Sequence, residues 1–163
     1  MRANRVRRLR ADEWRELKEI RLAALLDAPD AFATRYAEAA ARDDARWRAD
    51  AARGAGTEHA TFVAVEDGRF VGMAGGWSGD GVARLIQMFV RPEARGTGVA
   101  DELILAVAGW ARDQGFARLE LGVVEGNEAA ERAYARCGFV RVGAPLDRSA
   151  AGLAPEVRMA LAL

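Results

Sequence analysis

Residues 88–100 run Met88-Phe89-Val90-Arg91-Pro92-Glu93-Ala94-Arg95-Gly96-Thr97-Gly98-Val99-Ala100, and the way this stretch folds decides the rest of the chain. Met88 to Val90 closes an apolar run that begins at Val82 and stops at Pro92. After the glycines, Val99, Leu103, Val107, Trp110 and Ala111 recur at helical spacing until Gly115. A strand therefore passes through a tight glycine turn into a helix. Free N–H groups at that helix start, the positive end of its dipole and Arg95 suit a phosphate or pyrophosphate. The glycines let backbone approach such a ligand with no Cβ in the way. By itself a glycine turn before a helix is most often only a turn, so the surroundings must decide.

Working outward, Ala60 to Val65 and Phe70 to Trp77 read as strands joined by Asp67-Gly68, a pair suited to a two-residue turn with positive φ. Ser78-Gly79-Asp80-Gly81 leads into the third run, Val82 to Val90. Further upstream, Val6 to Leu9 reads as a short strand. Asp12 is expected to cap a helix carrying Trp14, Leu17, Ile20, Arg21, Ala24 and Leu25 on one face, ended by Pro29. The stretch from Thr34 to Arg53 is expected to form one further amphipathic helix with Tyr36, Ala40, Trp47 and Ala51 on a shared face. Downstream, Leu119, Leu121 and Val123 alternate as a strand, Asn127 opens a helix to about Arg136, and Gly138 ends it. Phe139 to Val142 and Glu156 to Leu161 are the last strands. Hairpins followed by a strand-helix-strand crossover imply an α/β (mixed α+β) fold, with a largely antiparallel sheet of six to seven strands and about four helices on both faces.

The 163 residues suit one domain, and 51% hydrophobic with 29% charged residues is a globular composition. Basic and acidic residues balance at 24 each, which argues against nucleic acid or an anionic membrane as partner. Arg2, Arg5, Arg7, Arg8 and Arg10 form a short basic run without interleaved aromatics, and no apolar signal segment follows it. The longest apolar run, Leu103 to Ala111, falls far short of the ~20 residues of a membrane span. The expected location is the cytoplasm. Cys137 is the only cysteine and His59 the only histidine, so no disulfide within the chain and no multi-cysteine metal site can form. A Cys137–His59 nucleophilic pair would lack a third orienting group.

Two common nucleotide motifs fail. No Gly-Lys-Ser/Thr tripeptide exists for a P-loop, and a dinucleotide fingerprint would need a small residue where Asp101 stands. A diphosphate of another kind is left. About thirty residues on, Asn127, Ala130 and Tyr134 share one helix face before Gly138-Phe139. Arg-x-x-Gly-x-Ala at a strand-to-helix turn, followed at this distance by Asn-x-x-Ala-x-x-x-Tyr-x-x-x-Gly-Phe, resembles the GNAT superfamily of acyl-CoA-dependent N-acetyltransferases. The likeness is close from Val82 to about Val142 and agrees only in element order before that.

The resemblance implies acetyl-CoA as cosubstrate and a primary amine as acceptor, on a small molecule or a peptide, attacking the acetyl carbonyl directly through a tetrahedral intermediate. Backbone groups of Met88, Phe89 and Val90 would pair with the pantetheine arm and help hold the thioester oxygen. Arg95, Gly96, Thr97, Gly98, Val99 and Ala100 would hold the pyrophosphate. Asn127 would contact the cofactor arm, and Tyr134 would protonate the departing thiolate. A phenol of pKa about 10 stays protonated at neutral pH, as that role requires. Phe32, Tyr36 and Trp77 are the candidates for the acceptor pocket. The strand Val82 to Val90 lacks the carboxylate that often serves as base in this family; Glu125 is the candidate, with Glu156 or a water relay as alternatives. That missing carboxylate also motivates a second reading, a non-catalytic acyl-CoA-binding or regulatory module. A homodimer is compatible with the family's habits.

Overall fold

A computed structural model describes residues 5–32 and 34–163; Arg2 of the basic run lies outside them. In chain order the elements are β1 (Val6–Arg8), α1 (Trp14–Asp27), α2 (Tyr36–Ala40), α3 (Asp44–Gly54), β2 (His59–Glu66), β3 (Arg69–Trp77) and β4 (Arg84–Val90), then α4 (Val99–Asp113), β5 (Arg118–Val124), α5 (Glu128–Arg136), β6 (Val140–Arg141) and β7 (Glu156–Ala162). The strands form one seven-stranded sheet in the order β1-β2-β3-β4-β5-β7-β6. Only β4 and β5 are parallel neighbours, as a crossover through α4 requires. The β2–β3 hairpin turns through Asp67 at φ 50° and Gly68 at φ 76°, both positive as expected of an Asp-Gly turn.

Each face of the sheet carries its own core. On one side α4 lays Val99, Leu103, Ile104 and Val107 against β3 to β5, each fully buried. Burial of such side chains stabilises by roughly 1.5–3 kcal/mol apiece. Close approach is possible because β3 offers Gly72 and Gly76 to the helix. A Cβ at Gly72 would lie 2.9 Å from Leu103, and one at Gly76 would lie 2.5 Å from the Trp110 ring. The Trp110 indole N–H donates to the Thr57 carbonyl at 3.1 Å, so its polar edge is satisfied. On the other side, α1 and α3 bury Leu17, Ile20, Ala24, Leu25, Trp47 and Ala51 over Val63, Met73 and Phe89.

Two local expectations are corrected. Asp12 does not cap α1: Glu13 takes that position, and no side chain caps the helix. The Glu13 carboxylate reaches backward instead, accepting the Arg10 N–H at 2.9 Å and both Arg7 guanidinium donors. Two guanidinium groups upstream attract it more than the helix N–H groups do. The stretch from Thr34 to Arg53 is two helices, not one. Asp43 accepts the Arg46 N–H at 2.8 Å and starts α3 afresh, which takes Tyr36 and Ala40 off the buried Trp47–Ala51 face. Arg5 of the basic run is bound into the fold, bonded to Glu66, Glu102 and the Thr97 carbonyl. Among the described residues, no helix is long and apolar enough to cross a membrane.

Candidate active site

The site arises from a fault in β4. Gln87 sits at φ 55°, a left-handed conformation rare for a residue with a Cβ, and the β3–β4 register slips between Met73 and Gly75. The extra residue reverses the alternation of the strand. Leu85 and Val90 lie five positions apart yet both enter the α4-side core, which an unbroken period of two forbids. Past the bulge, Phe89 turns to the α1 side. The bulge also bends β4 away from β5, and the two strands register only at Arg84↔Glu120.

Between the diverging strands lies a cleft of about 870 Å³. Its walls include Met88, Phe89 and Val90 of β4, Gly122 to Val124 of β5, and Asn127, Ala130 and Tyr134 of the α5 segment. The backbone of β4 beyond the bulge is thus an unpaired strand edge facing a cavity. At one end of the cleft stand Arg95, Gly96, Gly98 and Ala100. Gly96 and Gly98 have φ of 75° and 88°, which glycine adopts at little cost. No side chain caps α4, so the N–H groups of its first turn are left for a ligand. The Arg95 guanidinium is held by the Val90 carbonyl at 3.0 Å and by Asp27 at 2.5 Å. Arg136 is similarly matched by Asp101 at 3.3 Å. Backbone N–H groups, more than free arginine charge, make this end receptive to anions.

Tyr134 lies at the wall formed by α5, packed edge-on against Phe139 at 5.8 Å between ring centroids. Burial pushes its phenol above the ordinary value, with a smaller push from Cys137, so it is fully protonated at neutral pH. Its hydroxyl has no hydrogen-bond partner among the described residues.

Glu156 enters from the opposite face. Its neighbours Val157 and Met159 point into the α4-side core, so alternation along β7 sends Glu156 to the α1 side. There its carboxylate lies over Gly122 of β5. A Cβ at Gly122 would stand 2.7 Å from Glu156 Cγ and closer still to the carboxylate. Arg148 holds one carboxylate oxygen at 3.1 Å.

Of the residues singled out from the sequence, Met88, Phe89, Val90, Arg95, Gly96, Gly98, Ala100, Asn127, Tyr134 and Phe32 all line this cleft. Thr97 and Val99 do not: the Thr97 hydroxyl donates to the Ala94 carbonyl, and Val99 is a core residue. Asn127 caps α5 by accepting the Ala130 N–H at 3.2 Å. Glu125 is exposed beyond the end of β5 and forms no part of the cleft wall. Tyr36 is 40% exposed on α2, away from the cleft. Trp77 stacks under Arg84 at 5.5 Å, also away from it. Sequence reading missed Gln87 and Gly122; a glycine inside an otherwise apolar strand was the available sign of the second.

The fold and the cleft are those of a family of acyl-group transferases. The family model described as "Acetyltransferase (GNAT) family" matches residues 8–139, and the chain belongs to that family. An uncharacterised N-acetyltransferase of Mycobacterium bovis is 40% identical over 81 residues, covering 49% of this chain and 52% of the relative. The match thus spans about half the length of the curated relatives. A GNAT-family acetyltransferase of Streptococcus pneumoniae shares the fold with a TM-score of 0.80, at 17% identity over 97% of this chain and 98% of that one. A putative acetyltransferase of Salmonella typhimurium, solved with its cofactor acetyl-CoA, has a TM-score of 0.78 at 20% identity, over 97% and 92% of the two chains.

Proposed function

We propose that residues 1–163 act as one cytoplasmic N-acetyltransferase domain that moves the acetyl group of acetyl-CoA to a primary amine. The reading is carried by one observation: the diverging β4 and β5 put Tyr134 and Glu156 on opposite faces of a single cleft, with an uncapped helix start at its end.

The residues present fit acetyl-CoA. The unpaired edge of β4 at Met88 to Val90 offers N–H and C=O groups to the amides of the pantetheine arm, as an added strand would use them. N–H groups of Gly96, Gly98 and Ala100 bind the pyrophosphate, and Asn127 borders the arm. The bound cosubstrate supplies an activated thioester carbonyl. Glu156, on the α1 side, accepts the proton of the incoming ammonium, directly or through a water, and takes the role that no side chain of β4 fills. A cleft-facing N–H of β4 beyond the bulge, at Met88 or Val90, donates to the oxygen on which charge develops, since Phe89 pairs with Met73 of β3. Tyr134, on the α5 side, gives its proton to the leaving thiolate. The same desolvation that raises the phenol raises a thiolate beside it, so burial does not by itself set the proton against transfer.

A thermal-shift titration with acetyl-CoA, CoA, ATP and NAD, followed by amine-dependent CoA release over a broad amine panel, tests this. Acetyl-CoA and CoA should raise the midpoint, by about 2.7 kcal/mol of stability at 100 times the dissociation constant, while ATP and NAD should not. Stabilisation without release on any amine would replace the enzyme by an acyl-CoA-binding module.

A further inference from the structure

A second cavity, of about 200 Å³, opens on the α1 and α3 side of the sheet. Its lining is dominated by positive charge: Arg21, Arg42, Arg46 and Arg53 against the single carboxylate of Asp50. Asp50 accepts from Arg42 at 3.4 Å, from Arg46 at 3.1 Å, and from Arg53, so one acid is shared by three arginines. Arg21 has no share in it. The residue is 7% exposed, and its Nη1 has no hydrogen-bond partner among the described residues. Two more lining residues hold buried polar atoms without partners, Trp47 at Nε1 and His59 at Nε2.

Unpartnered buried donors are costly, and native proteins rarely keep them without a ligand or ordered water to receive them. Here a charged guanidinium and an indole N–H, on two residues that line one small cavity, lack an acceptor among the described residues. Burial lowers the Arg21 pKa to about 10, which still leaves it charged at neutral pH. An anion supplies the missing acceptor. Two residues tie this cavity to the catalytic cleft. Gln87, the bulge residue, lines both. Phe32 lines the cleft and carries the Arg21 guanidinium on its ring at 4.8 Å. The second cavity is also on the face from which Glu156 meets the amine.

We propose that the acceptor is a small amine bearing a carboxylate or phosphate group, which Arg21, Trp47 Nε1–H and His59 hold in this cavity while the amine faces Glu156. The inference rests on the acetyl-transfer reading and gives its substrate class. A volume of about 200 Å³ admits such a head group with a few carbons, equivalent to roughly seven waters, and no polymer segment.

The test uses matched amines of two to six carbons: alkylamines, ω-amino carboxylates, the corresponding amides, and aminoalkyl phosphates, together with short peptides bearing an acidic side chain. CoA release gives kcat/KM for each. Expected is a preference of about 10–100-fold for the carboxylate or the phosphate over the neutral isostere, the two anionic arms telling which is taken. Arg21→Met should bring that ratio to about one, and Arg21→Lys should keep part of it. A readout independent of turnover is the single histidine. His59 lines the second cavity and not the cleft, so its imidazole NMR signal should move with the preferred anionic amine and stay in place with its neutral isostere. Equal turnover of anionic and neutral amines, a ratio unchanged by Arg21→Met, or a preference confined to peptides would overturn the proposal. If Arg21→Met does not fold, the wild-type ratio and the His59 signal decide. If acetyl-CoA binds and no amine is acetylated, the transfer reading fails first, and a His59 signal unmoved by every anionic amine overturns this one as well.

Discussion

The position of the Glu156 carboxylate depends on the absence of a side chain at Gly122, and Gly122→Ala isolates that dependence. An added Cβ would lie 2.7 Å from Glu156 Cγ, against a comfortable carbon–carbon separation of about 3.5–4 Å. Glu156 must therefore retreat by about an ångström at Cγ and by more at its oxygens. A glutamate end is flexible, so the retreat costs little stability, and Gly122 has no positive φ that alanine would strain. Loss of glycine's freedom in the unfolded chain stabilises by about 0.4–1 kcal/mol. Function should suffer where stability does not. Misplacing a reacting group by about 1 Å can cost on the order of 10²-fold, and removing a general base about 10²–10⁴-fold. Initial rates of amine-dependent CoA release at saturating acetyl-CoA should fall about 10²-fold in Gly122→Ala and further in Glu156→Gln, with melting temperatures unchanged or slightly raised for the former. Because Gly122 acts through Glu156, the double variant should be no slower than Glu156→Gln alone. Full turnover by Gly122→Ala, or losses that multiply in the double variant, would refute this account of the base.

Tyr134→Phe should lower turnover about 10²–10⁴-fold while the dissociation constant of CoA, read by calorimetry, stays nearly constant; equal turnover would remove the phenol from the mechanism. Gly76→Ala drives a Cβ to 2.5 Å from the Trp110 ring, which is backed by the α4-side core. It should destabilise by about 1–3 kcal/mol in urea titration, and a variant as stable as the parent would show that the helix–sheet contact is loose. The Glu13 carboxyl is held below its ordinary value, chiefly by its hydrogen bonds from Arg7. A depressed carboxylate gives stability that is present above the unfolded value near 4.5 and lost as pH falls through the folded one. Glu13→Gln should thus lower stability at pH 7 and flatten the acid limb of the stability profile below about pH 4.5; an acid limb unchanged from wild type would contradict the pairing.

Much of this was legible in one dimension. The Asp67-Gly68 turn requires positive φ at two successive residues and so announced its hairpin. The apolar period of α4 and the two glycines before it placed strand, turn and helix correctly, because those signals are local and steric. The motif around Asn127 and Tyr134 carried the family, since its residues share a helix face that any α-helix would create. What local pattern misjudged was decided by competition between charged groups. Arg7 and Arg10 drew Glu13 out of a capping role, and Asp43 restarted a helix that periodicity alone would have continued.

The geometry of the cleft belongs to the tertiary structure. No spacing shows that Gln87 adopts a left-handed conformation, because a bulge is set by how β4 must bend between two neighbours. That bend opens the cleft and turns Phe89 toward α1. It is also the pairing of β5 with β7, joining residues more than thirty positions apart, that lays Glu156 over Gly122 while Glu125 stays in solvent. Side-chain chemistry and local conformation are written residue by residue along the chain. Which carboxylate lies over Gly122, and which guanidinium nitrogen is left without a hydrogen-bond acceptor among the described residues, depend on contacts that exist only once distant strands have paired.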